Sequence, residues 1–310
     1  MSVAFVFPGQ GSQSVGMMTP FESLPAVRRT FAEASEVLGT DLWNLVQQGP
    51  SEELNLTANT QPAMLTAGVA LFRAWRELGG SDPVAVAGHS LGEYTAWTVA
   101  GVLEFAEAVA LVRFRGQLMQ EAVPADRGAM AAVLGLDENA VRSICTEASS
   151  SGLVEAANYN TSEQVVIAGE ATAVQAAVAL AKARGAKRAV LIAISIPAHC
   201  SLMRPAAQRL RERLQALKLK PPRIRVLNNV DVAAESAPDR ITDALVRQLS
   251  SPVRWVEIVN ALAQAGVTTI VEAGPGAVLT GLGKRIAPQV QSIAVKDANT
   301  LRELATEFKA

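Results

Sequence analysis

Ser90 stands between two glycines in "GHSLG" (88–92), a pattern typical of a serine nucleophile. The apolar segment 83–88 before it predicts a buried strand, and residues 90–101 predict a helix. At such a turn the glycines let the chain bend tightly and expose the serine, while the first N–H groups of the helix favour a developing oxyanion. The alternative is a structural glycine turn with an inert serine, because glycine, serine and leucine are common residues.

A serine hydroxyl needs a base near neutral pH, and the chain contains only two histidines, His89 and His199. Neighbouring side chains at a sharp turn point apart, so we expect His89 to pack or hydrogen-bond beneath the turn. His199, in "SIPAHCSLM" (195–203), is therefore the predicted base, with a surface or core histidine as the alternative. Cys200 beside it is predicted to be a small buried residue rather than a nucleophile.

An acidic residue that would orient the His199 imidazole is not evident. Between Ser90 and His199 the only aspartates are Asp126 and Asp137, near predicted loops or helix starts. An ordinary α/β-hydrolase has the order Ser, Asp or Glu, His, with the histidine late in the chain. A backbone carbonyl could hold the imidazole instead, so a hydrolase is the less favoured hypothesis.

The segments around Ser90 predict an α/β fold. Residues 3–7 are expected to form another buried strand, and residues 60–80 have helical periodicity. Strand, tight turn and helix alternate here, which favours a parallel sheet with helices on both faces. Between about 125 and 196 the predicted order is β-α-β-β-α-β, typical of a ferredoxin-like subdomain inserted into the larger domain.

The other predicted elements follow from the same periodicities and glycine turns. In the inserted part, strands are predicted at 128–136, 153–159, 164–170 and 187–195, and helices at 137–152 and 171–186. After it, helices are predicted at 202–217, 239–249, 253–266 and 275–286, and strands at 223–228 and 268–274.

The composition, 49% hydrophobic and 18% charged over 310 residues, is that of a globular protein with a large core. A net charge of −1 argues against nucleic acid or a membrane surface as a partner. The first apolar stretch ends at Pro8, and 189–194 is too short to span a bilayer, so no signal peptide or membrane segment is expected. Two cysteines cannot form a disulfide framework, which favours the cytoplasm.

Seven motifs resemble, in order, those of the malonyl-CoA:acyl carrier protein transacylases, the acyltransferases of bacterial fatty acid synthesis. They are "FPGQGSQ" (7–13), "GHSLGEYTA" (88–96), "RGQLMQEAVP" (115–124), "QVVIAG" (164–169), "PAHCSLMRPAA" (197–207), "RQL" (247–249) and "EAGPGAVLTGLGKRI" (272–286). The resemblance runs from about residue 3 to about 290. It implies a large hydrolase-like α/β domain, residues 1–124 and 197–310, and a ferredoxin-like (βαββαβ) subdomain at 125–196.

The resemblance also implies roles for single residues. Ser90 would carry the malonyl group as an ester, and His199 would be the base that activates it. The backbone carbonyl of Gln248 would hold His199, which would explain the missing aspartate. Backbone N–H groups of Gln10 and Leu91 would form the oxyanion hole.

Arg115 matches the family's arginine that pairs with the free malonyl carboxylate, and would thus select malonyl over acetyl. Arginine suits this role because its planar, permanently charged fork binds a carboxylate bidentately. The alternative is a solvated helix arginine like Arg113, which cannot share a helix face with Arg115. The three residues before the histidine are Ile196-Pro197-Ala198. Polyketide-type relatives vary at this place, and the variation influences their tolerance of a branched extender unit.

The predicted reaction moves the malonyl group from malonyl-CoA to the phosphopantetheine thiol of acyl carrier protein, supplying fatty acid chain elongation. It would proceed by ping-pong kinetics through the Ser90 ester, without metal or organic cofactor. The acidic carrier protein could meet basic clusters at 182–188 and at Lys284-Arg285, unless these are only solvated helix ends. We expect a monomer.

Two other functions are alternatives to the acyl transfer. A thioesterase or esterase with the same serine turn would pass the acyl group to water, but Arg115 has no clear purpose there. A non-catalytic acyl-binding or scaffold subunit would form no covalent adduct, and has no chemical need for Ser90, His199, Arg115 and Gln248 together.

Overall fold

The chain folds around two β-sheets in a computed structural model that describes residues 2–124, 126–192 and 196–309. The strands in these ranges are β1 (Val3–Phe7), β2 (Ala85–Gly88), β3 (Gly128–Leu134), β4 (Val154–Thr161), β5 (Gln164–Glu170), β6 (Arg188–Leu191), β7 (Val226–Leu227), β8 (Thr269–Glu272) and β9 (Gln291–Ala294). The α-helices are α1 (Pro25–Leu38), α2 (Leu42–Gln48), α3 (Ser51–Leu54), α4 (Thr57–Glu77), α5 (Leu91–Val99), α6 (Phe105–Ala122), α7 (Glu138–Ala148), α8 (Ala171–Ala183), α9 (Arg204–Gln215), α10 (Pro238–Gln248), α11 (Trp255–Gln264), α12 (Val278–Ile286) and α13 (Ala298–Glu307).

The larger sheet is parallel, in the order β7-β2-β1-β8-β9. Alternate side chains of each strand point to opposite faces, and both faces are covered. On one face Phe5 packs edge-on against Trp75 of α4, with ring centroids 4.9 Å apart. On the other, Ala4 and Val6 join Ile258 of α11 in a second cluster. Burying each large apolar side chain stabilises the fold by about 1.5–3 kcal/mol, which favours central strands that are apolar throughout.

The smaller sheet is antiparallel, in the order β4-β5-β3-β6. Helices α7 and α8 pack on it around a core that includes Ile144, Ile167 and Val174. The chain order is β-α-β-β-α-β, so the predicted fold class, a parallel α/β sheet with a ferredoxin-like unit, is confirmed. The limits of this unit stay a prediction, since Ala125 and residues 193–195 lie outside the described residues, as does part of the predicted strand 187–195.

Several elements are not predicted from the sequence, namely α1, α2, α3, α6, α13 and β9. Helix α6 matters most, because it carries Arg115. It packs against α1, α4, α5 and α9, so its apolar residues recur without the one-sided pattern that identifies an amphipathic helix.

Within the described ranges, no helix combines the length and the apolar character needed to cross a membrane. The same ranges contain no group of three or more His, Cys, Asp or Glu side chains that could hold a metal ion.

Candidate active site

Ser90 lies at a sharp turn between the end of β2 and the start of α5. Its backbone has φ 52° and ψ −110°, a conformation that non-glycine residues seldom adopt. The flanking glycines are required by close packing. A Cβ at Gly88 would lie 1.9 Å from the Gly92 carbonyl, and a Cβ at Gly92 would lie 2.0 Å from the Phe7 carbonyl oxygen. The turn therefore has the predicted strand–turn–helix geometry.

The predicted base is in contact with the predicted nucleophile. His199 Nε2 lies 2.7 Å from Ser90 Oγ, and His199 Nδ1 lies 2.8 Å from the Gln248 backbone carbonyl oxygen. A carbonyl oxygen only accepts hydrogen bonds, so Nδ1 carries the proton and Nε2 is free to accept the Ser90 hydroxyl proton. This is the tautomer that a general base requires.

The His199 ring is 2% exposed. Burial, and then the nearby Arg115 charge, lower the pKa of His199 to about 3, although the Gln248 carbonyl acts in the opposite direction. The imidazole is therefore neutral around pH 7. Cys200 is fully buried, as predicted; its Sγ donates to the Pro197 carbonyl and burial raises its thiol pKa to about 12, which disfavours the thiolate.

His89 makes contacts on the other side of the turn. Its Nε2 lies 2.9 Å from Asn160 Oδ1 on β4, and its ring centroid lies 5.5 Å from that of Trp255. This agrees with the predicted packing and hydrogen-bonding role. It also links the serine turn of the larger sheet to a strand of the smaller one.

Arg115 is the buried arginine of α6, at 1% exposure, whereas Arg113 is only half-buried. Its Nη1 donates to Gln61 Oε1 at 2.9 Å, and its Nη2 lies 3.1 Å from Gln248 Oε1 and 3.4 Å from Ser90 Oγ. The guanidinium also lies over the Tyr94 ring at 5.1 Å. Arg115 therefore points directly at the nucleophile.

The charge of Arg115 is not balanced by a direct ion pair. Among residues 2–124, 126–192 and 196–309, no carboxylate lies within 4.0 Å of its guanidinium nitrogens, and its Nε has no hydrogen-bond partner. Burial lowers the pKa of Arg115, yet a guanidinium keeps its proton in proteins. A buried charge without a directly paired counter-ion costs several kcal/mol, so the site favours an anionic ligand next to Ser90 Oγ.

Gln10 and Leu91 lie in the wall of the same small cavity, whose volume is about 80 Å³. The cavity is lined by Gln10, His89, Ser90, Leu91, Arg115, Met119, Met130, Asn158, Ile196, Ala198 and His199. Within the described parts of the chain, neither backbone N–H of Gln10 and Leu91 donates a hydrogen bond to the protein. Both are thus free to bind an oxyanion formed at an acyl group on Ser90.

The structure brings together all six residues singled out in the sequence: Gln10, Ser90, Leu91, Arg115, His199 and Gln248. Gln61 is a contact of Arg115 that sequence reasoning misses. The one signal for it is a polar residue at the start of the buried and mainly apolar segment 61–72 of α4.

Comparison with known proteins identifies relatives over almost the whole chain. A family model described as acyl transferase domain matches residues 4–303. The malonyl CoA-acyl carrier protein transacylase of Escherichia coli (strain K12) is 52% identical over 299 residues, covering 96% of this chain and 97% of the relative.

Solved structures agree with these sequence matches. The acyl-carrier-protein S-malonyltransferase of Burkholderia pseudomallei 1710b superimposes with a TM-score of 0.97 at 53% identity, covering 99% of this chain and all of that one. A malonyl-transacylase in complex with its type II PKS acyl-carrier protein gives a TM-score of 0.98 at 50% identity, with 99% and 100% covered.

Proposed function

Because the chain belongs to the acyl transferase domain family, with malonyl CoA-acyl carrier protein transacylases among its relatives, we propose that it moves a malonyl group from malonyl-CoA to an acyl carrier protein. The acceptor would be the phosphopantetheine thiol of the carrier. Malonyl is proposed as the acyl group because of one observation: the buried Arg115 lies 3.4 Å from Ser90 Oγ and has no carboxylate partner in the described ranges. A malonyl carboxylate lies only two bonds from its thioester carbonyl carbon, within reach of that guanidinium.

In the first half-reaction, Ser90 Oγ attacks the thioester carbonyl of malonyl-CoA while His199 Nε2 takes its proton. The oxyanion accepts hydrogen bonds from the Gln10 and Leu91 N–H groups, each worth roughly 3 kcal/mol in the transition state. The C–S bond breaks, and His199 returns the proton to the departing CoA sulfur. The products are a malonyl ester on Ser90 and free CoA.

The second half-reaction reverses these steps with a different thiol. The phosphopantetheine thiol gives its proton to His199 Nε2 and attacks the ester carbonyl. The C–O bond breaks and Ser90 Oγ regains the proton. Exchange between two thioesters is close to neutral in free energy, so a serine ester serves as a reversible intermediate with ping-pong kinetics. The residues described supply the base, the oxyanion donors and the counter-charge, so the proposed route uses no metal or organic cofactor.

The test is intact-protein mass spectrometry after mixing with malonyl-CoA. Wild type should gain one malonyl group and Ser90→Ala none, while Cys200→Ala, a control beside the same histidine, should keep the adduct. The adduct should disappear when a carrier protein bearing phosphopantetheine is added. Persistence of the adduct in Ser90→Ala would contradict the mechanism, and steady CoA release without an acceptor would favour a thioesterase.

For the acyl carrier partner, we propose Lys284-Arg285 rather than the cluster at 182–188 as the basic contact. Both residues are exposed at the end of α12, and neither pairs with a carboxylate in the described ranges. In the other cluster, two of the four cations are paired, Arg184 with Glu147 and Lys187 with Glu163. Uncompensated charges attract an acidic partner more strongly than paired ones. We also propose that the chain is a cytoplasmic monomer that binds neither nucleic acid nor a membrane.

A further inference from the structure

Ser90 adopts a strained backbone conformation, and two buried side chains bind its peptide groups. Asn229 Oδ1 accepts from the Ser90 N–H at 2.8 Å, and Asn229 Nδ2 donates to the Gly88 carbonyl at 2.7 Å. The Gln248 side-chain amide donates to the Ser90 carbonyl at 2.9 Å. The Asn229 side-chain amide thus bonds the turn at two points, the Ser90 N–H and the Gly88 carbonyl. Backbone conformations of this kind cost about 1–3 kcal/mol and persist only when neighbouring groups hold them.

Asn229 is itself held by a buried carboxylate. The Glu93 side chain is 0% exposed, and its Oε2 accepts from the Asn229 backbone N–H at 2.8 Å and from Gln248 Nε2 at 2.9 Å. Its Oε1 accepts from Trp97 Nε1 at 3.1 Å. All three partners are N–H groups, which can only donate, so the carboxyl group accepts at each of them. Burial raises the pKa of Glu93, and these three bonds and the Arg115 charge oppose that rise.

The Gln248 amide lies between two opposite charges. Its Oε1 accepts from Arg115, and its Nε2 donates to Glu93. The reversed amide would place its NH₂ group against the guanidinium and its oxygen against the carboxylate, and both contacts would be repulsive. Glu93 therefore sets the orientation of the Gln248 side chain, while the Gln248 backbone carbonyl holds the His199 ring.

We propose that Asn229 and Glu93 are positioning residues of the transfer reaction: Asn229 clamps the turn that carries Ser90, and Glu93 holds Asn229 and Gln248 against that turn. This inference rests on the function proposed above. It predicts that loss of either residue slows acylation of Ser90 far more than it weakens binding of malonyl-CoA, because neither side chain lines the cavity beside Ser90.

The chain offers a matched control for Asn229. Its neighbour Asn228 is also 0% exposed, but among the residues described its side chain binds only its own loop, donating to the Ala233 carbonyl and accepting from the Val230 and Asp231 N–H groups. Asn228→Ala therefore removes a comparable set of buried hydrogen bonds from the same segment without touching the serine turn.

The experiment measures single-turnover malonylation by rapid quench and mass spectrometry. Asn229→Ala should lower the acylation rate at least about tenfold, which corresponds to about 1.4 kcal/mol in the activation barrier, with the KM for malonyl-CoA within about twofold of wild type. Asn228→Ala should lower the melting temperature but keep the rate within about twofold. Glu93→Gln keeps the side-chain size and should slow acylation with the same unchanged KM.

The outcomes separate this inference from the proposed function. Absence of any malonyl adduct on wild type would refute the proposed function itself. A wild-type acylation rate in folded Asn229→Ala or Glu93→Gln would overturn the assignment of that residue, and so would an equal slowing in Asn228→Ala. If Asn229→Ala does not fold, the acylation rate of Glu93→Gln tests the proposal, because glutamine has the same size and shape as glutamate.

Discussion

At the residue scale, the His199 imidazole is held between a hydroxyl that donates and a carbonyl that accepts. Gln248 takes the place that an aspartate holds in many serine enzymes, and it brings no negative charge. Burial, and then the Arg115 charge, destabilise the protonated imidazole and lower the pKa of His199. The ring is thus kept neutral, ready to accept the Ser90 proton, throughout the physiological pH range.

A pH profile checks this arrangement. The pKa of His199 lies near 3 in the folded chain, below its ordinary value of 6.5, so the base form persists as the pH falls through 6.5. We expect kcat/KM for malonyl-CoA, which reports ionisations of the free enzyme and free substrate, to stay flat across that point. Melting temperatures measured at each pH control for unfolding. A midpoint near 6.5 beyond that of the malonyl-CoA phosphate would show that His199 titrates normally.

Substitution of Arg115 tests the origin of acyl selectivity. Arg115→Ala removes the proposed partner of the malonyl carboxylate, and breaking such a buried pair costs roughly 3–5 kcal/mol, a factor of at least about 100 in kcat/KM. Acetyl-CoA has no carboxylate, so its relative activity should rise. Arg113→Ala, two residues away and half-buried, is the control and should leave the ratio unchanged. Equal loss on both substrates would mean that Arg115 is only structural.

At the element scale, the strand–turn–helix unit works because β1, β2 and α5 approach closely at glycines. Gly92 places the start of α5 against the end of β1, and this contact aims the first N–H groups of the helix at the cavity. A side chain there would push the helix away from the strand and move the oxyanion donors with it.

Two glycine substitutions should change the free energy of unfolding in opposite directions. Gly92→Ala places a Cβ 2.0 Å from a backbone oxygen, so it should destabilise the fold by several kcal/mol and abolish activity. Gly281→Ala, inside α12 with nothing within 4 Å of the new Cβ, should stabilise by about 0.5–1 kcal/mol because alanine favours a helix. Urea unfolding measures both, and a neutral Gly92→Ala would contradict the close packing.

At the scale of the whole molecule, hydrogen bonds fasten the smaller sheet to loops beside the larger one. The Val253 N–H donates to the Ala157 carbonyl and the Tyr159 N–H donates to the Val253 carbonyl, both at 2.9 Å. The Ser201 N–H and hydroxyl both donate to the Glu155 carboxylate. These bonds join β4 to the loops that precede α11 and follow His199, so the base is fixed relative to both sheets.

The proposed carrier contact belongs to this scale. The double variant Lys284→Gln/Arg285→Gln should raise the KM for the carrier protein several-fold while the KM for malonyl-CoA stays unchanged, because only encounter with an acidic surface is weakened. The effect should shrink at high salt. Arg184→Gln/Lys187→Gln, which removes cations already paired with Glu147 and Glu163, is the control. Equal effects of the two double variants would argue against Lys284-Arg285 as the docking contact.

The sequence by itself indicated the serine turn, the predicted base and the β-α-β-β-α-β order of the smaller unit. These depend on local patterns: glycines flanking Ser90, alternating apolar segments, and a chain so poor in histidine that few candidates exist. The resemblance to the transacylases added Arg115, Gln248, Gln10 and Leu91. Helix α6 escaped prediction because it is buried on several sides and lacks a one-sided apolar pattern.

Only the tertiary structure decided how these residues are supported. Asn229 reaches Ser90 across 139 residues, and Gln248 reaches Glu93 across 155. Hydrogen bonds over such separations leave no periodic trace in the sequence, because they depend on how the loop after β7 and the end of α10 meet the serine turn. For the same reason, the burial of Arg115, which pairs directly with no carboxylate among the described residues and so makes the site receptive to an acid, became visible only once the chain was folded.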